Sequence, residues 1–347
     1  MKVSRRKTLF LIGGLLAGSL LNSPTVLAGE KEINGAGATF PYPVYVSWAK
    51  KYYEETGIRV NYQGIGSGGG IRQITARTVD FGGSDKMLSP VELEKRGLYQ
   101  FPAVIGSIVV VYNLPGVGDG KLKLSNKAVS DIFMGKIKYW DNPEIKKDNP
   151  YVKLPHMRIT VVHRAEGSGT TWNFTYWLSH ISPEWKENVG YGKVVNWPTG
   201  MGAKGNAGVA AYVRRIPGAI GYVEYAYKLQ NRLKAAQLQT TERNFIKPTV
   251  KSFKSAAAHA SLFWESHFYT RGNILLAPGK DSWPLTVATM ILLPKEKVSK
   301  NREVTQFFDW AFRNGDEIAE KLGYVPLPQS LKESIRHYWE KVVFNQK

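Results

Sequence analysis

Apolar positions along the chain change their period several times, and each change marks an element. Val44, Trp48 and Tyr52 recur at helical spacing, as do Tyr45, Ala49 and Tyr53. An amphipathic helix is therefore predicted between Pro41–Pro43 and Gly57. Proline suits its first turn, where a missing N–H costs nothing. Residues 32–35, 59–62 and 158–162 read as short strands, and residues 71–78, 124–134 and 209–215 as helices. Residues 101–112 and 287–293 are unbroken apolar runs, the pattern of strands buried on both faces. Near the end, Val304, Phe307, Phe308 and Ala311 share one helix face, and Leu331, Ile335, Tyr338 and Trp339 share another. Strand, glycine turn and helix alternate, which predicts an α/β fold with mostly parallel sheets.

The turns carry the chemistry. Four of them follow predicted strands: Gly35-Ala36-Gly37-Ala38-Thr39-Phe40, Gly64-Ile65-Gly66-Ser67-Gly68-Gly69-Gly70, Asp80-Phe81-Gly82-Gly83-Ser84-Asp85 and Arg164-Ala165-Glu166-Gly167-Ser168-Gly169-Thr170-Thr171. Ligands of such sheets bind beyond the carboxyl ends of the strands. A helix start offers unpaired N–H groups and the positive end of a dipole. Gly167 and Gly169 admit close backbone approach. Ser168, Thr170 and Thr171 add hydroxyls, and the Arg164 fork fits two oxygens of a tetrahedral anion. Taken singly, each turn is equally a tight turn, a flexible loop or a capped helix, and Asp85 equally a helix cap or a solvated carboxylate. Convergence of four on one cleft is what a small-anion site requires. A third glycine-rich segment, residues 200–208, leads into the helix at 209–215.

Composition sets the bounds. The chain has 347 residues, 43% of them hydrophobic, enough for two lobes with proper cores. It has no cysteine, which removes disulfides, thiolate metal sites and Cys nucleophiles. The six histidines never fall at HxxxH spacing, so no zinc site is expected, and no other metal or cofactor. Neither Ser67 nor Ser168 lies in G-x-S-x-G, residues 64–70 lack the Lys of a P-loop, and residues 35–40 lack the third glycine of a dinucleotide fingerprint. A non-enzymatic role is expected. Lys2, Arg5, Arg6 and Lys7, an apolar stretch from Leu9 to Leu21 and Val26-Leu27-Ala28 read as a secretory signal peptide over residues 1–28, placing the mature protein in a periplasm. The formal charge is +19, of which the leader holds four, leaving +15. The lysines are scattered, so a solvated surface is favoured over an anionic polymer as partner, and no nucleic-acid motif accompanies them.

The motifs at residues 35–41, 62–67, 80–85 and 164–170, with Pro217-Gly218-Ala219-Ile220-Gly221-Tyr222-Val223-Glu224-Tyr225-Ala226, resemble the periplasmic phosphate-binding proteins of bacterial phosphate ABC importers, the PstS family. The similarity runs from about Ile33 to about Tyr338. It implies a two-lobed periplasmic binding protein of type II, with the ligand cleft between lobes. The crossings at about Gly106 and Trp283 divide it into 29–105 with 283–347, and 106–282. The resemblance places phosphate contacts on Thr39, Phe40 (backbone N–H), Ser67, Asp85, Arg164, Ser168, Gly169 (backbone N–H) and Thr170. It also implies a permease and an ATPase as partners of a monomer. Two positions depart from the pattern. Glu166 stands where Asp is frequent, which changes how Arg164 is held, and His163 stands where a second Arg can occur, which lowers the positive field if it is neutral. Phosphate at neutral pH keeps a proton that Asp85 can accept, whereas sulfate has none. Arsenate, with the same proton, is the alternative ligand. A secreted phosphatase and a basic adhesin are the rival readings from other classes.

Overall fold

The computed structural model describes residues 31–259, 268–270 and 273–345; the signal peptide expected over residues 1–28 lies outside them. Among the described residues the strands are β1 (Glu32–Gly37), β2 (Arg59–Gly64), β3 (Phe81–Ser84), β4 (Leu98–Tyr112), β5 (Lys123–Leu124), β6 (Thr160–Arg164), β7 (Met201–Ala203), β8 (Ala219–Glu224), β9 (Lys234–Ala235), β10 (Gln237–Gln239), β11 (Phe245–Ile246) and β12 (Thr286–Pro294). The main sheet runs β2-β1-β3-β12-β4-β8-β6-β7, with β9 also on β4, while β11-β10-β5 form a small second sheet.

The two unbroken apolar runs became the two long strands, β4 and β12, both buried along their whole length. β4 pairs with β12 from Leu98 to Ser107 and with β8 from Ile108 to Tyr112. It thus leaves one half of the sheet and enters the other. β1, β2 and β3 are mutually parallel in the first half, and β6, β7 and β8 in the second. The long strands run antiparallel to their neighbours, β12 against β3 and β4 against β8. The parallel strands of the two halves therefore run toward one another, and their carboxyl ends meet beside the Ser107–Ile108 step. The mixed α/β class matches the expectation, and within the main sheet parallel pairing is confined to the outer strands of each half.

Helices cover the sheet faces. The predicted first helix is Tyr42–Thr56; it buries Val44, Tyr45, Trp48 and Tyr52, and Gly57 ends it at φ 70°. Its rings meet those of helix Val298–Asn314: Tyr45 lies 5.7 Å edge-on from Phe308, and Tyr52 lies 5.3 Å from Phe307. Val304, Phe307, Phe308 and Ala311 are fully buried, as their spacing required. Among the described residues no helix is long and apolar enough to cross a membrane.

One helix starts earlier than its sequence suggests. The predicted helix begins at Ile71 after a glycine turn, yet the helix spans Ser67–Thr75 and takes three glycines into its first turns. Glycine is poor in a helix interior, and packing explains its presence. A Cβ on Gly70 would sit 2.5 Å from Gly37 Cα, and one on Gly68 3.0 Å from the Gly167 carbonyl.

Candidate anion-binding site

Each predicted site residue lies at or just beyond the end of a parallel strand. Thr39 and Phe40 follow β1, Ser67 opens the helix after β2, Asp85 follows β3, and Arg164 is the last residue of β6. Ser168 caps helix Gly169–Ile181, its hydroxyl oxygen accepting from the Thr171 N–H at 3.0 Å. Gly169 and Thr170 form the first turn of that helix. All eight are buried, with Thr39 the least so at 9% exposure.

The structure draws them together from both halves of the sheet. The Ser67 hydroxyl accepts from the Asp85 N–H at 3.1 Å. A Cβ on Gly169 would come 2.3 Å from Ser67 Oγ and 2.7 Å from Asp85 Cβ, so glycine there lets the start of the second-half helix touch the first-half turns. The Gly68 N–H donates to the Gly167 carbonyl at 2.8 Å across the same gap. Arg164 Nη1 donates to Thr170 Oγ1 at 3.3 Å. The Phe40 carbonyl accepts from the Tyr324 hydroxyl at 2.6 Å, and its ring packs edge-on to Tyr324. The Thr39 carbonyl accepts from the Tyr227 hydroxyl.

Burial dominates the electrostatics. It pushes the Asp85 carboxyl up to about 7, against the opposing effects of the Thr289 hydroxyl, the Arg164 charge and Ser67. Near neutrality Asp85 is thus poised between accepting and donating. Burial also acts against the Glu166 charge, but hydrogen bonds from Arg164 and its charge outweigh it, and the carboxyl stays below its usual range. Glu166 Oε1 alone takes Arg164 Nε at 2.9 Å, Arg164 Nη2 and the Gly205 N–H at 3.0 Å, so one oxygen of the longer carboxylate clamps the guanidinium. Burial lowers the His163 pKa, which keeps the ring neutral at pH 7, and Nδ1 bonds the Arg164 carbonyl at 3.0 Å. His163 therefore contributes no second positive charge, and its ring stacks on Trp197 at 4.8 Å.

Several site-forming residues escaped the sequence reading. Thr289 Oγ1 donates to Asp85 Oδ1 at 2.9 Å. Asn173 Nδ2 donates to the carbonyls of Asp85 and Gly169, each at 2.9 Å. Asn206 reaches both Thr39 and Thr170. The one available sign of Asn206 was its place in the third glycine-rich segment immediately before a helix; Thr289 had no sign beyond being polar inside an apolar strand.

Buried donors arranged around one carboxylate, at strand ends facing each other across a two-part sheet, define a solute-binding protein for a small oxyanion. The model of the PBP superfamily domain matches residues 22–314. The chain is 49% identical over 331 residues to the phosphate-binding protein PstS of Pasteurella multocida, covering 95% of this chain and 96% of that one. It is 50% identical over 317 residues to the phosphate-binding protein PstS of Haemophilus influenzae, covering 90% and 94%. The fold is shared with a high affinity periplasmic phosphate-binding protein solved with phosphate, at a TM-score of 0.69 and 22% identity over 88% of this chain and 93% of that one. The chain belongs to the PstS family of phosphate-binding proteins, within the PBP superfamily. The relatives are named as binding proteins and not as enzymes.

Proposed function

We propose that the protein captures inorganic phosphate between its two halves and delivers it to the permease and ATPase subunits of an ABC-type phosphate importer, without catalysis, metal or cofactor. The observation that supports this most is the buried Asp85 carboxylate set among donors, within contact of the Gly169 helix start. A fully deprotonated dianion would leave that carboxylate facing like charge, and a buried unmet charge costs several kcal/mol. Phosphate supplies a hydroxyl for Asp85 and oxygens for the donors. A site built to bond a hydroxyl rejects the analogue lacking it by roughly 10⁴–10⁵.

In this reading Arg164 and the hydroxyls of Thr39, Ser67, Ser168 and Thr170 donate to the anion, with the backbone N–H groups of Phe40 and Gly169. Residues 29–105 with 283–347 act as one lobe and residues 106–282 as the other, and the permease reads their closure. The protein works as a periplasmic monomer, exported by its leader, and takes no nucleic acid.

Restoring the mature protein to cells that keep a phosphate permease but lack their own receptor tests the delivery step. Saturable uptake of labelled phosphate that depends on the added protein is expected. Uptake no faster than without it overturns the reading.

A further inference from the structure

We infer that Asn206 is a positioning residue that fixes the Thr39 and Thr170 hydroxyls as donors to the anion; this rests on the phosphate-binding reading. Protons and lone pairs around the side chain fix its orientation. Asn206 is the second residue of helix Gly205–Arg215 and is fully buried. Its Oδ1 accepts the Glu224 N–H at 2.9 Å, and a backbone N–H can only donate, so the amide cannot flip. The two amide protons must then point the other way. One bonds Thr39 Oγ1 at 2.8 Å, and the other bonds Thr170 Oγ1 at 3.3 Å.

Each hydroxyl receives one more donor. The Asn206 backbone N–H reaches Thr39 Oγ1 at 3.2 Å, and Arg164 Nη1 reaches Thr170 Oγ1 at 3.3 Å. A threonine oxygen has two lone pairs. Both are taken on Thr39, and both on Thr170, so each hydroxyl keeps one free function, its proton. The Asn206 amide, together with its own backbone N–H on Thr39 and Arg164 on Thr170, thus prevents two hydroxyls, one from each half of the sheet, from accepting a hydrogen bond from the ligand. Neither threonine then competes with Asp85 for the ligand proton. The orientation is inherited from the end of β8, through the Glu224 N–H.

The test is a double-mutant cycle on phosphate affinity, read by calorimetry, with Asn206→Ala, Thr39→Val and Thr170→Val. Asn206→Ala should weaken binding by about tenfold, the size of one or two net hydrogen bonds. In the Thr39→Val, Thr170→Val background the same substitution should cost less than about twofold, because there is no hydroxyl left to orient. A full tenfold loss in that background overturns the inference, since it means Asn206 acts on packing or closure instead. Should Asn206→Ala fail to fold, the uncharged Asn206→Ser completes the cycle; its cost must likewise shrink in the double-valine background. Failure of the unsubstituted protein to bind phosphate would sink the phosphate reading itself, and the inference with it, whereas binding with additive losses sinks the inference alone.

Discussion

The Thr289 hydroxyl, on a strand 204 residues further along the chain, donates to Asp85 Oδ1 at 2.9 Å. It stabilises the charged carboxylate against the burial that opposes its charge. The acceptor role of Asp85 therefore depends on a residue of the returning strand β12 as well as on its own turn.

A pH dependence of selectivity follows. With its pKa raised to about 7, Asp85 in the ligand-free protein passes from mostly charged at pH 8 to mostly protonated at pH 6. The protonated carboxyl can donate to a dianion that has no hydroxyl. Sulfate affinity should rise about tenfold over that interval, following the protonated fraction. Thr289→Val removes a bond to the charged form, so the rise should begin at higher pH. Sulfate titrations at pH 6, 7 and 8 check this; an affinity flat with pH contradicts it.

Stability should carry the same signature. Between pH 4 and 7 the folded protein holds a proton on Asp85 that the unfolded chain has released. Asp85 thus lowers the unfolding free energy as pH rises through that window. Asp85→Asn removes the charge, so without ligand it should melt several degrees above the unsubstituted protein at pH 8, and near it at pH 4. Thermal scans in phosphate-free buffer give the comparison. A variant that melts lower at pH 8 contradicts the assignment.

Gly169→Ala separates folding from binding. Gly169 has no positive φ, so alanine is acceptable to the backbone and improves the helix start. Its Cβ, however, would lie 2.3 Å from Ser67 Oγ and 2.7 Å from Asp85 Cβ, both in the opposite half. Phosphate affinity should fall by about 100-fold or more, while the melting temperature of the ligand-free protein changes by less than about 2 °C. Retained affinity would mean that the two turns need not approach so closely.

The turns that end in Thr39, Ser67 and Asp85, and the one that begins at Arg164, were legible because their chemistry is local. Glycines, hydroxyls and charge sit within a few residues of a strand end. The long strands were legible from their unbroken apolar character. What supports the site was hidden because it arrives from far away in sequence. Asn206 meets Thr39 across 167 residues, and Tyr227 meets it across 188. Thr289 looked like one polar residue within an apolar run, and the direction its side chain faces depends on sheet register. The glycines of residues 68–70 hid the helix start in another way: they place the predicted start at Ile71, whereas they serve close packing of a helix that begins at Ser67.

The central claim, that Asp85 selects the anion by accepting its proton, is tested most directly by calorimetry. The mature protein and Asp85→Asn, both stripped of ligand, are titrated at pH 8 with phosphate and then with sulfate. At pH 8 the unsubstituted protein should show one tight phosphate site and only weak sulfate binding, with sulfate affinity clearly strengthened in Asp85→Asn. An Asp85→Asn protein that rejects sulfate as completely as its parent would contradict it.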